Sequence, residues 1–249
     1  MRPVCVIAHR GASEDAPENT LRAFALAWEQ GADAVECDVH LAKDGHLMVI
    51  HDAHTQRVSG KDAPVSGQTL EELRRLDVGS WKDKKWKGEK IPTLAELFAS
   101  MPTEKKIYVE VKCGPEVIPE FRVAMNSTPT LGPERIVVIS FNAAVIAAFK
   151  KELPLLTAFL LVGFEHDASG AWVIDAEDLL ARAEDCHADG LALYACDGLT
   201  AALVKHIKDE GLDLFVWVVD DEPLALKMRE IGIETIATNR PGWLRGIMG

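Results

Sequence analysis

The chain alternates short, unbroken apolar runs with longer stretches in which apolar positions recur every three or four residues. The runs are VCVIA (4–8), AVECDV (34–39), IYVEV (107–111), IVVIS (136–140), LTAFLL (156–161), GLALY (190–194), LFVWVV (214–219) and ETIAT (234–238). Their length and β-branched content predict strands buried on both faces. Between most of them lies an amphipathic segment. Leu21, Phe24, Ala25 and Trp28 follow the i, i+3, i+4, i+7 spacing of a buried helical stripe, with Asn19 as its N-cap. Leu179, Leu180 and Ala183 repeat the pattern, as do Leu199, Leu203 and Ile207. Eight such strands with intervening helices predict an α/β fold, the (β/α)8 TIM barrel. A doubly wound open sheet is the rival, but its G-x-G-x-x-G and G-x-x-x-x-G-K-[ST] phosphate loops are absent.

Two stretches break the alternation. Lys43-Asp44-Gly45 before HLMVIHD predicts a hairpin added after the second strand, turning at Asp44-Gly45. Residues 53–92 then form a long insertion, with a short helical piece (TLEELRRL, 69–76) and the stretch GSWKDKKWKGEKIP. Insertions of this length in compact domains are usually functional. The expected organisation is a single domain over 1–249 with a small cap-like insertion at about 53–92.

Charge and cysteine usage narrow the partners. A net charge of −12 argues against nucleic acid or an anionic membrane surface. No run approaches the roughly 18 apolar residues of a membrane span, so no stable membrane association is expected. The apolar stretch after Met1 is too short for a signal peptide. Cys5, Cys37, Cys113, Cys186 and Cys196 are scattered, odd in number and lack C-x-x-C spacing. Free thiols in a reducing cytoplasm are therefore expected. Oligomeric state is not legible from the sequence.

Strand alternation places the chemistry. Residues two apart share a face, so Glu36 and Asp38 point one way and Cys37 the other; Glu110 and Lys112 likewise oppose Val109 and Val111. Three carboxylates near strand C-termini repel one another, and a hard divalent cation, Mg2+ or Ca2+, relieves that. The alternative is a set of ion pairs at a barrel mouth. His9 and His51 both end apolar runs and are candidates for acid and base, whereas the other six histidines read as packing or capping residues. Arg10 and Lys112 add cations suited to an anionic group. A metal, proton carriers and cations together are the parts of phosphoryl-transfer chemistry.

These residues fall in a recognisable order. His9-Arg10-Gly11, Pro17-Glu18-Asn19-Thr20, Glu36-Cys37-Asp38-Val39, Lys43-Asp44-Gly45 and His51-Asp52 are followed by IPTLAEL (91–97) and Glu110-Val111-Lys112. Ser140-Phe141, Trp217 and Thr238-Asn239-Arg240-Pro241 complete the series. The pattern resembles the glycerophosphodiester phosphodiesterase family over nearly the whole chain. The resemblance implies a TIM barrel that hydrolyses glycerophosphodiesters, such as glycerophosphocholine or glycerophosphoethanolamine, to glycerol 3-phosphate and an alcohol. It implies Glu36, Asp38 and Glu110 as ligands of one divalent cation, and His9 and His51 as the acid/base pair. Arg10 and Lys112 would hold the phosphate, with Trp217 beside the substrate. The implied chemistry has the glycerol 2-hydroxyl attack phosphorus, giving a cyclic phosphate that water opens. Alternatives are a phospholipase D-like lyase that releases a cyclic phosphate from lysophospholipids, and a non-catalytic phosphodiester-binding barrel. One departure stands out: the family commonly shows W-T-V-N, where this chain has Trp217-Val218-Val219-Asp220. The roles of Asp220, Glu18 and the Lys82, Lys84, Lys85 and Lys87 stretch with Trp81 and Trp86 stay open at this level.

Overall fold

The computed structural model describes residues 3–249. Its strands are β1 (Cys5–His9), β2 (Ala34–Leu41), β3 (Leu47–Val49), β4 (Lys106–Val111), β5 (Ile136–Ser140) and β6 (Thr157–Val162). They continue with β7 (Glu165–His166), β8 (Trp172–Val173), β9 (Gly190–Tyr194), β10 (Asp213–Trp217) and β11 (Thr235–Thr238). Eight of them run parallel in the order β1-β11-β10-β9-β6-β5-β4-β2, and a β1–β2 pairing closes the ring. The barrel is therefore closed, and the open-sheet alternative is excluded. β3 runs antiparallel to β2 with Val39 opposite Val49, so the expected hairpin forms, turning through Gly45 at φ +85°. β7 and β8 make a second, two-residue hairpin outside the barrel.

The two strand faces pack into two separate layers. Ile7, Tyr108, Ile139, Phe159, Leu161 and Phe215 fill the barrel interior. Val6, Cys37, Val109, Val138, Leu160 and Val216 face outward, against the helices. Each fully buried side chain of this size stabilises by roughly 1.5–3 kcal/mol. Beneath the insertion, Met48, Ile50, Val58, Leu73, Leu76 and Ile91 form a third, smaller cluster.

The first helix, α1 (Leu21–Glu29), differs from its expected form in two ways. Thr20, not Asn19, caps it, accepting from the Ala23 N–H while its hydroxyl donates to the Pro17 carbonyl. The buried face is Ala23, Phe24 and Ala27, whereas Leu21 and Ala25 are exposed and Trp28 is only partly covered. The helix lies so close to the β1 loop that a small residue, Ala23, is needed at the contact, which a count of large apolar residues does not reveal. At Gly11, with φ +80°, an added Cβ would lie 2.6 Å from the Ala23 carbonyl carbon. Glycine is required there for both conformation and space.

Candidate active site

Strand register assembles the carboxylates at the C-terminal end of the barrel. Asp38 sits beside Glu110 across β2–β4, and His9 beside Glu36 across β1–β2. One oxygen from each of Glu36, Asp38 and Glu110 lies within 4.8 Å of the others, and all three residues are buried. Asn19, freed from capping and held at φ +57°, donates its Nδ2 to Asp38 Oδ2 at 2.8 Å. Arg10, also at φ +57°, donates its backbone N–H to Glu36 Oε2 at 3.0 Å, and its Nε lies 3.1 Å from Asp38. Lys112 donates to Glu110 at 2.7 Å and lies 3.4 Å from Asp38.

Two cations do not neutralise this trio. Burial, then repulsion from Asp38 and Glu110, pushes Glu36 well above the carboxylate range, and burial with Asp38 lifts Glu110 to about 7. Burial opposes ionisation of Asp38 too, but Arg10 and Lys112 outweigh it and hold that carboxyl low. Glu36 Oε1 and Asp38 Oδ1 are buried and accept no hydrogen bond. Orphaned buried carboxylate oxygens are costly, and an all-oxygen donor set of this kind could hold a hard divalent metal ion.

The histidines flank the trio. His9 Nδ1 lies 2.7 Å from Asn239 Oδ1, while its Nε2 lies 4.0 Å from Glu36. Burial, with the charge of Arg10 adding to it, lowers His9 to about 4, so its ring is neutral at physiological pH. His51 Nδ1 lies 2.6 Å from Asp52 Oδ1. A carboxylate only accepts, so Nδ1–H donates and Nε2 is the free ring atom. His40 donates Nε2–H to the His51 carbonyl, which agrees with its reading as a packed residue.

One network joins His51 to Arg10 through the insertion. Arg57 donates Nε and Nη2 to Asp52, and Nη1 and Nη2 to Glu18. Glu18 in turn accepts from Arg10 at 3.0 Å. The hydrogen bonds from Arg57, joined by that from His51, hold Asp52 at about 2. Glu18 thereby acquires a role as the brace of Arg10. Sequence reading missed Arg57 altogether.

A cavity of ≈ 140 Å³ opens between His9, Arg10, Glu36, His51, Glu110 and Lys112 on one side and an apolar wall on the other. Trp217 belongs to that wall. Its Nε1 donates to the Ala192 carbonyl, and its ring meets Phe141 and Tyr194 edge-on at 5.5 Å each. The row continues outward through Trp172 to His166. A larger hollow, ≈ 610 Å³, lies at the opposite end of the strands around Cys5, Lys106, Tyr108 and Asp213. It is distant from the carboxylate trio, and barrel sites belong at the strand C-termini.

All eight sequence-derived candidates thus converge on one mouth: His9, His51, Arg10, Lys112, Trp217, Glu36, Asp38 and Glu110. The lysine stretch lies beside it. Lys82 donates to the Ser13 carbonyl at 2.8 Å and sits over Trp81, while Lys85 and Arg22 flank the Trp86 ring. Asp220 does not join the carboxylates; it binds Thr238 and Asn239.

A closed barrel with carboxylates, two histidines and two cations at its mouth defines an enzyme of the TIM-barrel class with a site for an anionic substrate. Comparison with known proteins specifies it. The glycerophosphoryl diester phosphodiesterase family model matches residues 9–243. A glycerophosphodiester phosphodiesterase of Caldanaerobacter subterraneus is 35% identical over 239 residues, spanning 95% of this chain and 94% of its own. A probable glycerophosphodiester phosphodiesterase of Mycobacterium tuberculosis is 33% identical, spanning 95% and 89%. Among solved structures, a phosphodiesterase from Oleispira antarctica in complex with its product sn-glycerol-3-phosphate superposes with a TM-score of 0.86. It is 28% identical, covering 98% of this chain and 96% of that one. The chain belongs to the glycerophosphoryl diester phosphodiesterase family and is a phosphoric diester hydrolase. No helix among the described residues is long and apolar enough to cross a membrane.

Proposed function

We propose that this chain hydrolyses small glycerophosphodiesters, such as glycerophosphocholine or glycerophosphoethanolamine, to glycerol 3-phosphate and an alcohol. The observation that carries the proposal is the convergence of His9, His51, Arg10 and Lys112 around buried carboxylates on one cavity. Arg10 and Lys112 hold the phosphate. The aromatic wall with Trp217 covers the carbon skeleton and excludes water from that side. One histidine removes the proton from the glycerol 2-hydroxyl as its oxygen attacks phosphorus; the other protonates the leaving alcohol oxygen. The two exchange roles when water opens the cyclic phosphate. A single divalent cation, Mg2+ or Ca2+, held by Glu36, Asp38 and Glu110 would supply Lewis-acid stabilisation of phosphoryl charge. Residues 53–92 act as a cap beside the mouth, contributing Arg57 to its support. Five unpaired thiols suit a cytoplasmic setting.

The test is hydrolysis of glycerophosphocholine by the cation-loaded protein, expected to be abolished by a chelator and lowered ~10²–10⁴-fold in His51→Ala. Full activity in His51→Ala removes its assigned role. Phosphorus NMR follows the product: accumulation of a cyclic diester without monoester assigns the lyase reaction instead.

A further inference from the structure

Both carboxylate oxygens of Asp220 are in use. Oδ1 accepts from the Asn239 backbone N–H and from the Thr238 hydroxyl, each at 2.8 Å. Oδ2 accepts from Asn239 Nδ2 at 2.5 Å. The amide oxygen of Asn239 is thereby turned towards His9 Nδ1, 2.7 Å away. Ser13, whose hydroxyl carries one proton, can add a bond either to that oxygen or to the His9 carbonyl.

We propose that Asp220 is a positioning residue for His9 and sets the tautomer of its ring through Asn239. A carboxylate only accepts, so the Asn239 amide must present its NH2 to Asp220 and its oxygen to His9. That oxygen also only accepts, so the ring proton resides on Nδ1. Nε2, the atom nearer Glu36 and the cavity, is left with its lone pair free. The inference rests on the proposed reading of His9 as a proton-transfer residue.

The chain of donors and acceptors has a definite weak point. In Asp220→Asn, the Oδ1 of the new side chain keeps the Asn239 N–H and Thr238 hydroxyl bonds, and an NH2 replaces Oδ2. Two amide NH2 groups then face each other, and the Asn239 amide turns over to relieve the conflict. Its own NH2 now points at His9 Nδ1, which must accept, so the proton moves to Nε2 and blocks the atom facing the cavity. Exchanging the pair, Asp220→Asn with Asn239→Asp, restores the polarity. The carboxylate then stands at position 239, where it accepts both from the amide introduced at position 220 and from His9 Nδ1–H.

The experiment uses cation-loaded protein at fixed pH, with three readouts: kcat and KM on glycerophosphocholine, Tm, and nitrogen-15 shifts of the His9 ring, assigned by loss of its signals in His9→Gln. Wild type is expected to show the Nδ1–H tautomer. Asp220→Asn is expected to shift His9 to Nε2–H and lower kcat ~10–100-fold, with KM within about twofold and the fold retained. The exchanged pair is expected to recover the Nδ1–H tautomer and most of kcat. An unchanged tautomer in Asp220→Asn, or no recovery in a folded exchanged pair, overturns the inference. Failure of the underlying reading is distinct: His9→Gln would then retain full activity, while the tautomer shifts still decide the role of Asp220.

Discussion

Arg57 touches no atom assigned to substrate, yet it connects two groups that are. Its guanidinium makes paired contacts to Asp52, which orients His51, and to Glu18, which braces Arg10. Arg57→Ala removes four charge-assisted hydrogen bonds from a side chain that is 41% exposed. Bidentate pairs of this kind are strong, but solvent screens them here, so the expected loss of stability is ~2 kcal/mol. For a chain of this length that corresponds to a Tm lower by about 4 °C. The catalytic effect is of similar size, because both His51 and Arg10, the proposed phosphate ligand, lose their lateral support. Displacements of that sort cost ~10–100-fold in kcat. Steady-state kinetics on glycerophosphocholine with saturating divalent cation, beside thermal unfolding, measure the two effects separately. Arg57→Lys keeps the charge but loses the planar fork, and an intermediate kcat is expected. Wild-type kcat in Arg57→Ala, or complete rescue by lysine, refutes the reasoning.

Three further outcomes follow from the same geometry. Asp52 is held at about 2, so it adds stability above the ordinary carboxylate range and loses it as pH falls through about 4 towards and below 2; the gap between wild type and Asp52→Asn in urea unfolding is expected at ~1 kcal/mol at pH 7, after screening, and mostly gone by pH 2. Glu110→Gln removes one of the three carboxylates proposed to hold the cation, so cation-dependent stabilisation is expected to shrink by ~1.4 kcal/mol per tenfold loss of affinity; an equal Tm rise on adding Mg2+ or Ca2+ to both proteins contradicts its place in the set. Gly11→Ala puts a Cβ 2.6 Å from the Ala23 carbonyl carbon at a positive φ, and a loss of ~2 kcal/mol or more in thermal unfolding is expected.

Much of the barrel was legible because buried strands and strand alternation are local properties. The run ending at His9, and the placement of Glu36 and Asp38 opposite Cys37, needed only a two-residue period, and the structure has that arrangement. What escaped depends on contacts distant in sequence. Asn19 reads as a cap because it precedes a helix, but its partner is Asp38 and Thr20 takes the cap. Leu21 and Ala25 match a helical stripe, yet the buried face is Ala23, Phe24 and Ala27, with Ala23 against Gly11. Arg57 lies 39 residues from Glu18 and obeys no periodicity. Asp220 has no role legible in sequence, because its partner Asn239 is brought against it only by the fold.

The two sides of the mouth come from different lengths of chain. His9, Arg10, Glu36, Asp38, His51, Glu110 and Lys112 all precede residue 113, while Phe141, Trp172, Tyr194 and Trp217 all follow it. The groups proposed to break the bond and the aromatic wall proposed to cover the carbon skeleton can therefore vary separately. On the proposed reading, changes in the loops after β5, β6, β9 and β10 would alter the accepted alcohol without touching the carboxylates, histidines and cations. The tie between Asp220, Asn239 and His9 is the exception. There the late half reaches across the barrel seam into the early one, and substitutions on the two sides must change together.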